Sequence, residues 1–122
     1  MSVKAKITLS DKELSLVLDP EIILTKRAII DKVYDLFADM AGYIQTCIID
    51  NGKLPEELHF TVPKISKGEN YLQLPYVMLD YPRFFGKEDV FAIRTMFWWG
   101  NFFSITIMAS GIFRKLINTD AV

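Results

Sequence analysis

The stretch from Thr95 to Phe113 contains nineteen residues without a charge, and this feature limits what the chain can fold into. Its length would suffice for a transmembrane helix. However, Gly100-Asn101 interrupts it near the middle, and Ser110-Gly111 near the end. The residues that flank Gly100-Asn101 are aromatic and β-branched, which is typical of strands. We therefore predict a β-hairpin here and no membrane span.

The hairpin belongs to a predicted antiparallel sheet of three strands. The strands are predicted at about Tyr76 to Tyr81, Val90 to Trp99 and Phe102 to Ser110, with a first turn at Pro82 to Lys87. Glycine followed by asparagine suits a two-residue type II′ turn, which would place Trp99 opposite Phe102. A register slip of one residue would exchange the partners on the last strand.

A long helix is predicted from Pro20 to about Ile49. Apolar residues recur along it with three- and four-residue spacing, which indicates one helical stripe facing a core. The stripe comprises Ile23, Ile30, Val33, Phe37, Met40, Ile44 and Cys47. Asp19 can cap the start of this helix, and Asn51-Gly52 can end it.

Short helices are predicted on either side of these elements. Ser10-Asp11-Lys12-Glu13 has the pattern of a capping box and predicts a helix from Asp11 to Leu18. A last short helix is expected at Ile112 to Ile117, and the segment from Asp50 to Leu74 is expected to be mostly irregular. The predicted fold is thus a single α+β domain over residues 1–122, with the long N-terminal helix (about 20–49) packed on the three-stranded C-terminal sheet.

Composition narrows the classes of function. The chain is 51% hydrophobic. Its formal net charge of −1 gives no reason to expect nucleic acid as a partner. Cys47 is the only cysteine, which excludes an intrachain disulfide and fits a reducing compartment, so we expect a cytoplasmic protein. No cofactor or metal is expected.

The predicted sheet is apolar on both faces, whereas an antiparallel sheet usually keeps one face in water. One long helix can cover only one of them. We therefore predict a non-enzymatic interaction or dimerisation module, a homo-oligomer or a protein bound to a partner. The predicted interface comprises Met96, Trp98, Trp99 and Phe103. In the competing hypothesis the chain's own loop and terminal helices cover the second face.

Arg94 is the one charge within the strand predicted at Val90 to Trp99. A buried guanidinium needs a carboxylate or several carbonyl groups as partners, and Asp80 or Asp89 could supply the carboxylate. The alternative hypothesis is a binding site for an anionic or aromatic small molecule. Its predicted residues are Arg94, Arg83, Tyr76 and Asp80.

An enzyme is the least favoured hypothesis. It would rely on His59, the single histidine, or on the pair of Asp80 and Arg94. His59 lies near Glu56 and Glu57, but one imidazole is weak support for a metal site. The sequence contains no glycine-rich phosphate loop, no G-x-S-x-G elbow and no C-x-x-C pair. We accordingly predict no catalytic residues.

Overall fold

The structure, a computed structural model, describes residues 6–52 and 54–117 and has an α+β fold. It comprises two compact units that meet between Lys32 and Val33, within the long helix. That residues 1–122 form one domain remains a prediction.

The first unit contains helix α1 (Asp11–Val17), and its start is fixed by the predicted capping box. The Ser10 hydroxyl accepts a hydrogen bond from the Glu13 amide at 3.1 Å, and the Glu13 carboxylate accepts one from the Ser10 amide at 2.8 Å. Two amides at the helix start are thereby satisfied. None of the residues of α1 is buried, so the caps rather than packing define this helix.

Helix α2 (Pro20–Ile44) is followed without a break by a π-helical turn, Gln45–Ile49. This confirms the predicted helical course, including the N-cap, since the Asp19 carboxylate accepts from the Glu21 amide at 3.0 Å. Gly52 has a φ of +68° and donates its amide to the carbonyl of Ile49, which ends the helix as predicted. The buried residues of α2 are Val33, Phe37, Ala41 and Ile44.

The second unit contains an antiparallel sheet of four strands in the order β1-β2-β3-β4. The strands are β1 (Lys64–Tyr71), β2 (Leu74–Phe85), β3 (Val90–Trp98) and β4 (Phe102–Ser110). The predicted number of three strands is wrong because β1 was expected to be part of an irregular segment. As a largely exposed edge strand with few apolar residues, β1 lacks the alternation that identifies a half-buried strand.

Strand β2 continues through residues that were predicted to form the first turn. The Tyr81–Pro82 peptide bond is cis, and the pairing of β2 with β3 is irregular between Asp80 and Arg83. Proline cannot donate to a sheet ladder, so an interruption of the regular pairing at this point is expected. The turn itself is closed later, where the Gly86 amide donates to the carbonyl of Asp89 at 2.9 Å.

The hairpin between β3 and β4 differs from the prediction by one residue. Trp98, not Trp99, lies opposite Phe102, and three residues form the turn. The Asn101 amide donates to the Trp98 carbonyl at 2.9 Å, while Gly100 and Phe102 have φ values of +77° and +80°. This register places the hydroxyl residues of β4 on the same face as Arg94, because directly opposed residues share a face.

The other face of the sheet forms the core of the second unit, and we call it the apolar face. Its side chains come from β2, β3 and β4, namely Val77, Leu79, Ile93, Thr95, Phe97, Phe103, Ile105 and Ile107. Near the hairpin, the ring of Phe37 on α2 contacts that of Phe103, with centroids 6.3 Å apart. Near the other end, Leu58 and Phe113 pack against Phe91.

Two 3₁₀-helical segments supply this second part of the core. Leu58 ends the segment Glu56–Leu58, and Phe113 belongs to Gly111–Ile117, where a short helix was predicted. Both side chains are fully buried. The chain therefore covers much of the apolar face over β2 and β3 by itself.

Candidate functional site

Part of the apolar face remains uncovered on β4. Phe103, Ile105 and Ile107 follow one another on this face, and their exposed fractions are 44%, 66% and 49%. We call these three residues the β4 strip. By contrast, Val77 and Leu79 on β2 are fully buried on the same face. The apolar surface without cover is thus concentrated at one edge of the sheet.

The two edge strands of the sheet differ sharply in character. The sequence of β1 includes Lys64, Lys67 and Glu69, and its pairing is irregular between Gly68 and Tyr71. Charges and irregularities of this kind protect an edge from pairing with another chain. The nine residues of β4 include no charge, and all nine pair regularly with β3. Among the strands that the structure describes, only β4 forms an edge without this protection.

The opposite face, which we call the groove face, is arranged in rows across the strands. Its rows are Tyr76–Trp98–Phe102, Met78–Met96–Ser104 and Asp80–Arg94–Thr106. Aromatic, methionine and charged side chains therefore follow one another along the strands. The expectation that both faces are apolar is wrong, because the observed register places Ser104 and Thr106 beside Met96 and Arg94.

Asp80 and Arg94 form the charged centre of the groove face. Arg94 donates from Nε and Nη2 to the two carboxylate oxygens of Asp80, at 2.8 and 3.1 Å. Asp80 is 6% exposed, whereas the side chain of Arg94 is one-third exposed. The hydrogen bond to Asp80 raises the pKa of Arg94, against the opposing effect of burial. Asp89, the other predicted partner, instead accepts from the amide of Ile112.

Three aromatic residues border the groove face near the hairpin. The Trp98 indole N–H donates to the Tyr71 carbonyl at 2.9 Å, and the two rings meet edge to face with centroids 5.1 Å apart. Tyr71 also contacts the ring of Tyr76 at 6.3 Å. A Cβ on Gly68 would overlap the Tyr76 ring, so glycine at this position lets the tyrosine lie across β1.

A cavity of about 530 Å³ lies over this face. Its lining combines apolar residues with hydroxyl, amide and guanidinium groups, and comprises Tyr71, Arg94, Met96, Trp98, Asn101, Ser104, Thr106 and Met108. Ligand sites typically have such a volume, with a few polar groups set among apolar ones.

The predicted ligand residues are only partly brought together. Tyr76, Asp80 and Arg94 share the groove face, but Arg83 lies beyond the irregularity in β2 and donates to the carbonyl of Val62 at 3.0 Å. Arg83 does not line the cavity.

The predicted interface residues are divided between the two faces. Met96 and Trp98 line the cavity, whereas Phe103 belongs to the apolar face. Trp99 lies in the turn, where its ring contacts that of Phe97 and its indole N–H is buried without a hydrogen-bond partner among the described residues.

Five residues of the cavity were missed in the sequence, namely Tyr71, Asn101, Ser104, Thr106 and Met108. Tyr71 lies at the end of the unpredicted β1, and Asn101 lies in the turn between β3 and β4. Ser104 and Thr106 were predicted on the face opposite Arg94. Their alternation with Phe103, Ile105 and Ile107 was the available signal, since it is the polar and apolar pattern of a strand with one wet face.

The remaining chemical candidates, His59 and Cys47, do not line the cavity. The His59 Nε2 atom lies 2.9 Å from the carbonyl oxygen of Leu54, and Cys47 is a half-buried free thiol. Within residues 6–52 and 54–117, no group of three or more histidine, cysteine or acidic side chains could hold a metal ion. No helix in that part of the chain has the length and apolar character to cross a membrane.

No family model, curated protein or solved structure matches this chain.

Proposed function

We propose that this chain is a non-enzymatic interaction module that forms a homodimer through β4. The observation that carries the proposal is the β4 strip, in which Phe103, Ile105 and Ile107 leave about half of their surface in water on an edge strand. Exposed apolar patches on otherwise folded units commonly mark protein interfaces. We place this function in the cytoplasm, in keeping with the single cysteine.

A second copy of β4 is the partner that this edge fits best. In an antiparallel pair of identical strands centred on Ile105, Phe103 of each copy would lie opposite Ile107 of the other. Both copies would then contribute the same surface, as in a twofold interface. Because β4 has no charged residue, its self-pairing brings no like charges together. Main-chain hydrogen bonds would add to the apolar contact.

The test compares the oligomeric state of three proteins by light scattering after gel filtration, over a range of concentrations up to high micromolar. The wild type is expected to be a dimer that dissociates on dilution. Ile105→Lys is expected to be monomeric, because it places a charge in the centre of the β4 strip. Thr106→Lys is the matched control, since it adds the same charge to the adjacent residue on the groove face, and it should retain the dimer.

A wild type that stays monomeric at high micromolar concentration and binds no hydrophobic dye would refute the proposal. Equal loss of the dimer in Ile105→Lys and Thr106→Lys would also contradict it, because the interface would then not depend on the apolar face. Circular dichroism of each variant checks that the sheet is retained.

A further inference from the structure

We infer that the cavity on the groove face binds a small amphipathic carboxylate, a molecule with a flat apolar body and one carboxylate group. This inference concerns the face opposite the β4 strip and does not depend on the homodimer. Three observations carry it: the hydrogen-bonding capacity of the cavity, its charge, and its apolar side chains, of which Trp98 is held in place.

The polar groups that line the cavity are suited to a ligand rich in acceptors. Asp80 engages Nε and Nη2 of Arg94, so the two N–H groups of Nη1 can serve a further acceptor. Thr106 lies directly opposite Arg94, and Ser104 lies one row away, so their hydroxyls can donate to the same ligand group. A carboxylate, which accepts several hydrogen bonds at once, matches this set of donors.

The charge near the cavity favours an anion. Lys64 lies opposite Asp80 on β1, and Arg94 lies opposite Asp80 on β3, so this row has two cations for one carboxylate. Asp80 itself is nearly buried, and both of its oxygens are already hydrogen-bonded to Arg94. A ligand would therefore meet the guanidinium of Arg94 rather than the acid that holds it.

The apolar part of the cavity combines two flexible side chains with one that is held in place. Met96 and Met108 are flexible side chains that can adjust to the shape of a ligand. Trp98 is held by its hydrogen bond to the Tyr71 carbonyl and by edge contact with the Tyr71 ring. An indole that is fixed before binding loses little entropy when a flat ring packs against it.

The experiment uses fluorescence of the full chain with the substitution Trp99→Phe, which leaves Trp98 as the only tryptophan. Titration with 3-phenylpropionate is expected to change the Trp98 emission and to reach saturation. The neutral analogue 3-phenylpropionamide, which has the same ring and chain, should bind at least about tenfold more weakly, since one charge-assisted hydrogen bond contributes about that factor.

Two further substitutions locate the site. Arg94→Gln should weaken binding of 3-phenylpropionate about tenfold, and Ser104→Leu, at an exposed position, should weaken it by occupying part of the cavity beside Arg94. Ile105→Lys, which lies on the other face, should leave binding unchanged, so a failure of the dimer and a failure of the site are distinguishable. No saturable change with the acid, or equal affinity for acid and amide, overturns the inference.

Discussion

Asp80 and Arg94 lie directly opposite each other on β2 and β3 and are joined by two hydrogen bonds, at 2.8 and 3.1 Å. Asp80 immediately precedes the cis Tyr81–Pro82 bond, where regular pairing of the two strands stops. The pair therefore marks the last regular rung before the irregularity. We therefore expect the pair to fix the register of β2 against β3, in addition to placing Arg94 at the cavity.

We predict that Asp80→Asn lowers the free energy of unfolding by about 1–2 kcal/mol. Removing the carboxylate leaves Arg94 without its charged partner, but the exposure of Arg94 lets water compensate in part. Urea unfolding of Asp80→Asn, Arg94→Gln and the double variant measures the coupling between the two side chains. A coupling close to zero would show that the pair does not stabilise the sheet.

Tyr81 makes the stability of the folded state depend on pH at alkaline values. Its side chain is 2% exposed, and burial, assisted by the negative charge of Asp50, raises its pKa. A raised pKa means that the folded state holds the proton more tightly than the unfolded state. The resulting contribution to stability is complete below the unfolded pKa of about 10. It is lost as the pH rises through the folded pKa.

We therefore expect the wild type to lose stability at alkaline pH, and the variant Tyr81→Phe to lose less of it. Urea unfolding at a series of alkaline pH values checks this. Titration of tyrosinate absorbance should show that the component missing from Tyr81→Phe lies above the usual tyrosine pKa. Identical pH profiles for the two proteins would contradict the prediction.

Phe102 combines two features that are unfavourable in a monomer. Its φ of +80° is costly for a residue with a Cβ, and its side chain is 79% exposed. Asparagine adopts this conformation more readily. Phe102→Asn is expected to stabilise the monomer by about 0.5–1 kcal/mol in thermal or urea unfolding.

Phe103→Asn is the matched control, since the same exchange one residue later removes the contact with Phe37. It should destabilise the protein by about 1–3 kcal/mol. If both variants lost stability equally, Phe102 would have a packing role that its exposure does not indicate.

The helices were predicted best, because the capping residues and the spacing of apolar residues indicate the same elements. Capping residues and three- and four-residue spacing predicted α1 and the helical course from Pro20 to Ile49. The sheet was predicted less well because its edge strand β1 is polar and exposed, so the apolar alternation used to find strands is absent from it. β1 is defined by its antiparallel pairing with β2, to which the two-residue turn Leu72-Gln73 connects it.

Which residues line the cavity depends on the backbone conformation of one residue, Phe102. The register of the β3–β4 hairpin followed from Phe102 adopting a left-handed conformation, which sequence propensity assigns to glycine or asparagine. The predicted Gly100-Asn101 turn was one residue too short. That difference moved Ser104 and Thr106 to the face of Arg94 and concentrated the apolar side chains on the other face.

Gly111 provides a prediction about the junction between β4 and the following 3₁₀ segment. Its φ is +62°, and a Cβ there would overlap the Asp89 carboxylate and approach the Glu88 carbonyl. Both groups are already engaged, because Asp89 accepts from the Ile112 amide and the Glu88 carbonyl accepts from Ser110. Gly111→Ala is therefore expected to destabilise the protein by about 2–3 kcal/mol.

Gly42→Ala is the control, because it is the same exchange but is expected to raise the free energy of unfolding and not to lower it. Gly42 lies within α2, and a Cβ there would meet no heavy atom within 4 Å. Alanine should stabilise the helix by about 0.5–1 kcal/mol, since glycine loses more backbone entropy on folding. Urea unfolding of both variants gives the comparison. A small effect of Gly111→Ala on the free energy of unfolding would mean that the junction can rearrange. The buried position of Phe113 would then not depend on the hydrogen bond between Asp89 and the neighbouring Ile112 amide.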